Sequence, residues 1–514
     1  MMEKQVEQSI DILREELPLQ RFVGECISQA VVEGDVALPG GLREETRVLT
    51  GEAMAVPDRT GVENGRVLVD GKVAFHILYT QGDPTRVSAL EASADFSHTA
   101  EIAGAQPGMT APVSLMVEHV EASAQGGRLH LMAILRVHTR VFTDEPMPVV
   151  TGVRGADGLM TRTETLRSIR TVGYGAQDVL IRDECELGSA LQISDTLYAT
   201  AMATVQDVMG GEGRATISGT IQLEVTHLSD MPSRPVVITR HSVPFEETVV
   251  VSGETGDGLC CSAVVRDVAV LSQEGAQEGE RTLRSEVLLG LRAESSRARE
   301  VCLLLDAYTT QGDVLALSAQ DVRRAVSHRQ LHTAESGKLT LLLDGQPPVR
   351  TPVKATLRPV MTDLSRSGGK LTVEGMMEAA LLYMTDDDPA PQVFRTEEPF
   401  RAVFACDPSL PESLLLTAAS IDPVAITSDR VELKYILHLD CYDVQLSSQP
   451  LVTQVTAQPA PPDEPGILMC FSQPGETVWD LAKRYRVNPD SLRSMNPGLR
   501  DGSAEGQRVI LWKR

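Results

Sequence analysis

One block of alternating residues, present three times, constrains the fold of this chain more than any other feature. Gly65-Arg66-Val67-Leu68-Val69-Asp70-Gly71-Lys72-Val73-Ala74-Phe75-His76-Ile77-Leu78-Tyr79 recurs in type over residues 213–225 and again over residues 369–383. Each copy opens on a glycine and a basic residue, alternates apolar and polar positions, and carries a second glycine: Gly71, Gly219 or Gly375. Between these second glycines lie steps of 148 and 156 residues, so the period is a whole domain and not a solenoid turn. A two-residue period is that of a half-buried strand. In the first copy Val67, Val69, Gly71, Val73, Phe75, Ile77 and Tyr79 share one face, and Arg66, Asp70, Lys72 and His76 the other. Glycine on an apolar strand face weakens the strand unless a bend, a bulge or a close neighbour requires it. Gly71, Gly219 and Gly375 therefore read as requirements of the fold.

Fainter copies follow at residues 127–137 and 429–437, and strand-like runs precede the blocks at Thr46–Val56, Asp195–Val205 and Pro352–Val360. With turn-rich stretches between them, these predict antiparallel sandwiches or barrel-like sheets. A chain of 514 residues exceeds one ordinary core, and its aromatic content of 4% suits Val- and Leu-packed strands. The expected fold class is multidomain and mainly β: three antiparallel β-rich repeat domains plus a small βααβ module. The expected boundaries are an N-terminal helix over 1–17 (Gln5–Glu16), repeat domains over 18–155, 160–310 and 318–456, a proline-rich linker over 457–466 and the module over 467–514. A second helix is expected at Ser318–His332, joining two repeats. Proline lacks the N–H donor, which makes the linker a semi-rigid extended spacer.

A formal net charge of −24 repels phosphate backbones and anionic lipid, so neither nucleic acid nor a membrane surface is an expected partner. The start, Met1-Met2-Glu3-Lys4-Gln5-Val6, lacks the basic and apolar regions of a signal peptide, and no stretch reads as a transmembrane segment. The eight cysteines (Cys26, Cys185, Cys260, Cys261, Cys302, Cys406, Cys441 and Cys470) form no C-x-x-C pair and read as reduced, small buried hydrophobes.

The most specific words stand at the C-terminus. Thr477 followed by Asp480 makes a capping box, and Val478, Leu481, Ala482 and Tyr485 form one apolar helical face. Asn488 and Pro489 suit the cap and first position of a second helix, and Gly506-Gln507 turns into a closing strand. Strand, helix, helix, strand with Pro474 to Tyr485, Asn496-Pro497 and Gly506-Gln507 at these places resembles the LysM domain. The resemblance implies a binding groove formed by Gly475, Glu476, Thr477 and Val478 on one side and Asn496, Pro497, Gly498 and Leu499 on the other. Read from the residues alone, Gly475 and Pro497 are turn residues, Thr477 is a cap, and Trp479, with Trp512 beside the module, anchors a minimal core. The usual aromatic of the first strand is replaced by Leu468, Met469 and Cys470.

No catalytic, metal or cofactor constellation emerges, and the chain reads as a non-enzyme without cofactors. His328 and His332 are four apart on the expected helix but have no intervening glutamate and no third ligand, and read as solvated. Gly210-Gly211-Glu212-Gly213 lacks the Lys-Ser/Thr of a phosphate loop and reads as a hairpin turn. Cys260-Cys261 have no base in sequence reach, and Asp386-Asp387-Asp388 reads as an exposed turn.

Three β-rich repeats, a proline linker and a C-terminal LysM resemble the SipL-type spore coat morphogenetic proteins of clostridia, whose repeats are called SPOCS domains. That resemblance implies a scaffold of coat assembly in the mother-cell cytoplasm, at the forespore surface or spore coat. Its implied partners are the coat-basement ATPase, recruited through LysM, and other coat proteins. LysM alone implies the alternative, a protein of the wall or cortex that binds N-acetylglucosamine glycans of peptidoglycan.

Overall fold

The computed structural model describes residues 10–38, 41, 45–125, 128–254, 256–274, 280–405, 414–460, 466–502 and 506–513. In chain order the first unit contains β1 (Asp11–Leu17), β2 (Arg21–Val36), β3 (Arg47–Glu63), β4 (Arg66–Gln81), β5 (Asp83–Glu101), β6 (Val113–Gln125), β7 (Arg128–Thr143) and β8 (Met147–Arg154). The second contains β9 (Leu159–Leu187), β10 (Ile193–Gly211), β11 (Arg214–Ser229), β12 (Val236–Val250), β13 (Ser252–Gly253), β14 (Gly258–Glu274) and β15 (Arg281–Thr309). The third contains β16 (Val314–Leu342), β17 (Thr351–Ser367), β18 (Lys370–Met384), β19 (Gln392–Ala405), β20 (Leu415–Thr427) and β21 (Arg430–Gln458). The small module is β22 (Gly466–Phe471), α1 (Val478–Tyr485), α2 (Pro489–Met495) and β23 (Arg508–Lys513).

Each repeated block is the middle strand of a three-stranded antiparallel meander: β3-β4-β5, β10-β11-β12 and β17-β18-β19. Each meander faces a second sheet in which the unit's first strand pairs with its last: β2-β7-β6, β9-β15-β14 and β16-β21-β20. The buried positions of β4 alternate as the block predicts, and Val69 and Phe75 pack on Leu131 and Leu135. Ile217 and Ile221 pack on Val287 and Leu289 in the second unit, and Val373 and Leu381 on Leu433 and Leu437 in the third.

The three glycines have one physical explanation. Gly71, Gly219 and Gly375 stand directly across from Phe96, Phe245 and Phe400. On the other side, the preceding strand bulges beside each of them, between Pro57 and Arg59, Val205 and Asp207, and Met361 and Asp363. The phenyl ring lies over the bare Cα: an added Cβ would meet Phe96 at 2.7 Å, Phe245 at 2.8 Å and Phe400 at 3.0 Å, with a bulged-strand carbonyl against it as well. Gly219→Ala is therefore expected to lose about 1–3 kcal/mol through overpacking. Denaturant titration checks this, and a variant as stable as the parent would refute the close approach.

Two expected helices are strands. Asp11–Glu16 of the Gln5–Glu16 segment belongs to β1 and pairs with β8, and residues 1–9 lie outside the described residues. Ser318–His332 lies inside β16, paired along β21. Bulges after Ser318 and after Ala325 break the two-residue period there, so that Val322, Arg324 and Ala325 are all buried. That spacing imitates a helical face, and the long partner strand overrides local propensity. Of the expected linker, Ala457 and Gln458 still belong to β21, and residues 461–465 lie outside the described residues.

Strands β9, β15, β16 and β21 each run 29 residues, and their outer halves leave the sandwiches as two-stranded ribbons. In the first unit Pro18 and Pro146 interrupt the same ribbon, dividing β1 from β2 and β7 from β8. The three ribbons share one core, in which Leu17, Leu19 and Met147 meet Leu166 and Leu303 of the second unit and Val322 and Leu451 of the third. The meanders also close on one another: β3 contacts β18 and β19, β17 contacts β12, and β10 contacts β5. First strand to a later strand of the neighbour, repeated three times, makes a closed head-to-tail ring of units with pseudo-threefold symmetry. Thr50, Tyr198 and Lys354, each seven residues before the bulge partner of its glycine, are equivalent in the three units and all are buried.

Candidate functional site

The C-terminal module is built by its caps. The Thr477 hydroxyl accepts from the Asp480 N–H at 3.2 Å while the Asp480 carboxylate accepts from the Thr477 N–H at 3.0 Å, which starts α1. Asn488 accepts from the N–H groups of Asp490 and Ser491 and starts α2, with Pro489 at its first position. Leu481, Ala482, Leu492, Val509 and Leu511 fill the space between the helices and the β22-β23 pair.

The loop before α1 adjoins the chain after α2 at Asp501 and Gly502, just beyond the expected Asn496–Leu499. The Gly502 N–H donates to the Glu476 carbonyl at 3.3 Å, and the Val478 N–H donates to Asp501 at 2.6 Å, with Arg493 holding the other Asp501 oxygen at 3.2 Å. Gly475, Pro497 and Gly498 are exposed, Glu476, Thr477, Asn496 and Leu499 are half-buried, and Val478 is buried. Glu476 accepts from the Gln473 N–H and from Arg484, and Asn496 clasps both the N–H and the carbonyl of Ile510, so both side chains already have structural work. Asp501 was not singled out from the sequence, although a carboxylate at the start of α1 is what the helix terminus favours.

Trp479 does more than fill the module's core. It is half-buried, and its indole N–H donates at 2.8 Å to Asp306 in the distant β15, which also takes Lys483 at 2.5 Å. Its ring stands edge-on to Tyr308 with centroids 5.1 Å apart. The Tyr308 hydroxyl donates to the Val487 carbonyl at 2.8 Å, and burial pushes that phenol up to about 12, so it remains a donor at neutral pH. Arg486 donates to the carbonyls of Thr309 and Gly312 in the β15–β16 turn. The module is thus seated on the ribbon of the second unit by α1 and the α1–α2 turn, and the eight groove residues contribute none of these hydrogen bonds. Trp512, expected to help anchor the core, is instead 55% exposed. With Ile467, Met469, Phe471 and Ile510 it forms the outer face of the β22-β23 pair, all large, apolar and exposed.

His328 and His332 lie on a strand, not a helix. The ring of His328 is within 3.0 Å of the Gln20 side-chain oxygen and that of His332 within 2.5 Å of Asp440, so neither is simply solvated. Burial pushes the Cys260 and Cys261 thiols up to about 11 and about 12, which leaves them protonated and unreactive. Cys302 is exposed, contrary to expectation, and Cys406 lies outside the described residues. Gly210 and Gly211 end β10 and Glu212-Gly213 make the β10–β11 turn, and Asp386–Asp388 lies in the β18–β19 turn, with Asp386 facing Arg350 at 3.3 Å. Among the described residues no group of His, Cys, Asp and Glu could hold a metal ion, and no helix is long and apolar enough to cross a membrane.

The family model of the SipL, SPOCS domain matches residues 46–125, which spans β3 to β6, and the LysM domain model matches residues 473–504. The chain carries a SPOCS domain and a LysM domain. The second and third units repeat the strand order and the glycine–phenylalanine pairs of the matched SPOCS unit. No curated protein and no solved structure matches the chain. SPOCS and LysM are binding and scaffold domains, and together they fit a sporulation protein with a module of the peptidoglycan-binding kind.

Proposed function

We propose that the chain is a non-enzymatic scaffold of spore coat assembly that recruits the coat-basement ATPase to the forespore surface through its LysM module. The observation that carries this reading is the apolar outer face of β22-β23. Ile467, Met469, Phe471 and Trp512 are 79%, 61%, 64% and 55% exposed on one sheet face. Contiguous apolar surface of this kind marks a protein interface, and it lies on the β22-β23 face, away from the loops 475–478 and 496–499 expected to hold a glycan. The closed ring of SPOCS units supports the scaffold role, because it offers a rigid base on which the module is seated. Mother-cell localisation at the forespore surface or coat belongs to the same reading.

Glu476 is too deeply engaged for a clean substitution, so the test uses Met469→Asp with Phe471→Asp in the full chain. The double variant is expected to keep its circular dichroism and thermal midpoint and to lose about tenfold or more in affinity for the purified ATPase. The wild-type chain is expected not to sediment with peptidoglycan. The LysM match favours a second reading, a wall or cortex protein that binds N-acetylglucosamine glycans. Sedimentation with peptidoglycan, weakened by Pro497→Asp with Gly498→Glu and untouched by the strand variant, would put that reading in place of the first.

A further inference from the structure

The two strands of the C-terminal module differ in what covers their outer edges. Asn496 takes the N–H and the C=O of Ile510 at 2.8 and 2.6 Å, so the middle of β23 is capped on the side away from β22. Antiparallel partners alternate between pairs that exchange both hydrogen bonds and pairs that turn both groups outward. Ile510 is the partner of Met469, so the N–H and C=O of Met469 also point away from β23, and by the two-residue period those of Ile467 and Phe471 do as well. Arg484 donates to the Phe471 carbonyl at 3.2 Å. Among the described residues no strand lies beside the other outward groups of β22, since its sheet has two strands. Natural sheet edges are protected by charge, proline or a bulge. Gly466–Phe471 has no charged residue and no proline, and its register with β23 is unbroken.

Charge decides what would add to this edge. The outer face pairs Ile467 with Trp512, Met469 with Ile510 and Phe471 with Arg508, so the one charged side chain in these pairs is a cation. Arg508 is exposed and has no carboxylate partner among the described residues. Arg484, which also holds Glu476 at 3.0 Å, stands at the same end of β22, and Lys513 lies across from Gly466 at the other. Residues 466–514 hold eight basic and five acidic side chains, in a chain whose net charge is −24. A second copy pairing through β22 would put only further cations at the ends of the shared sheet. A strand with apolar residues along the stripe and carboxylates at its ends would supply the opposite charge.

We propose that β22 accepts an extended segment of a partner protein as a third strand, apolar at alternate positions and acidic at its ends. This rests on the reading of the β22-β23 face as a protein interface and names the form of what it binds. The test is fluorescence anisotropy of the full chain with end-blocked peptides about seven residues long. They carry glutamate at both ends and, between them, valine, leucine or phenylalanine alternating with threonine. Controls carry lysine for glutamate, or N-methylated amides at alternate positions, which cannot extend a sheet. Met469→Pro removes an outward N–H and sets a ring in the path of an added strand without breaking a bond to β23. Met469→Ala shortens the same side chain and leaves the edge open. At least one acidic peptide is expected to bind saturably, with its lysine and N-methyl forms about tenfold or more weaker. Met469→Pro is expected to weaken binding as much, and Met469→Ala less. The N-methyl comparison uses the parent chain and stands even where the proline variant does not fold. No binding by any acidic peptide, equal binding by the lysine or N-methyl forms, or equal binding by a folded Met469→Pro would overturn the proposal. So would a doubled mass of the parent that Met469→Pro abolishes, which would put a second copy on the edge. Loss of the purified ATPase in the double aspartate variant with full retention in Met469→Pro would keep the interface and overturn the added strand. A chain that takes the peptides and not the ATPase would keep the strand edge and overturn the ATPase as its partner.

Discussion

Lys354→Met is expected to destabilise the protein by about 3 kcal/mol, more than any surface substitution. The Lys354 side chain is 1% exposed, yet it carries an ammonium placed 3.2 Å from Glu52 of the first unit and 3.6 Å from Glu224 of the second. It also donates to Thr226 at 3.2 Å and lies over the ring of Tyr198, whose hydroxyl donates to Glu52 at 2.9 Å. Burial works to strip its proton, and the two carboxylates and Tyr198 outweigh that effect and hold its pKa above the ordinary lysine value. Methionine matches the volume but leaves Glu52 facing an apolar side chain without its cation. The expected loss sits at the low end of the range for broken buried pairs, because the Glu52 and Glu224 side chains are 24% exposed and Glu224 retains Arg240. Adding Glu52→Gln to Lys354→Met is expected to recover most of the loss. Denaturant midpoints measure both, and a single variant within about 1 kcal/mol of the parent would show that the cluster contributes little.

Acid is expected to unfold the chain through its histidines. His227 is fully buried between the hydroxyls of Thr196 at 3.0 Å and Thr239 at 2.9 Å, and burial, then His241 and Arg281, push its pKa down to about 4. Burial likewise lowers His76, His98, His138, His241, His328 and His438. A histidine whose folded pKa lies below its unfolded value of about 6.5 contributes stability in full above that pH and loses it as the pH falls. For His227 the window runs from about 6.5 to about 4, and the loss is on the order of 3 kcal/mol. His332 runs the other way: its hydrogen bond to Asp440 raises its pKa, so its contribution is present at low pH and lost as pH rises through the folded value. The urea midpoint is therefore expected to drop between pH 7 and pH 4.5, and His227→Gln to flatten that limb by about 3 kcal/mol. A limb equally steep in the variant would move the acid sensitivity elsewhere.

The meander strands were legible because alternation and a displaced glycine are local facts. Gly71 even announced a close neighbour, though nothing in the sequence said that the neighbour was Phe96. The helix expected at Ser318–His332 failed because bulges near Ala319 and Ala325 give a strand the burial spacing of a helix. Closure of the units was not legible at all, since the equivalent positions hold Thr50, Tyr198 and Lys354, three residues of unlike chemistry, and only the fold lays Lys354 over the Tyr198 ring. The module's caps could be read within a few residues, whereas Asp306, the acceptor of Trp479, lies 173 positions away.

The ring of units also bears on how the chain is made. Synthesis proceeds from the N-terminus, and domains ordinarily fold as they emerge. Here Leu17 and Leu19 need Val322 and Leu451, and Leu49 and Leu78 need Val353 and Leu382, all of them late residues. The first unit to leave the ribosome is thus the last to have its flanks covered, and it waits, partly open, for the third to arrive.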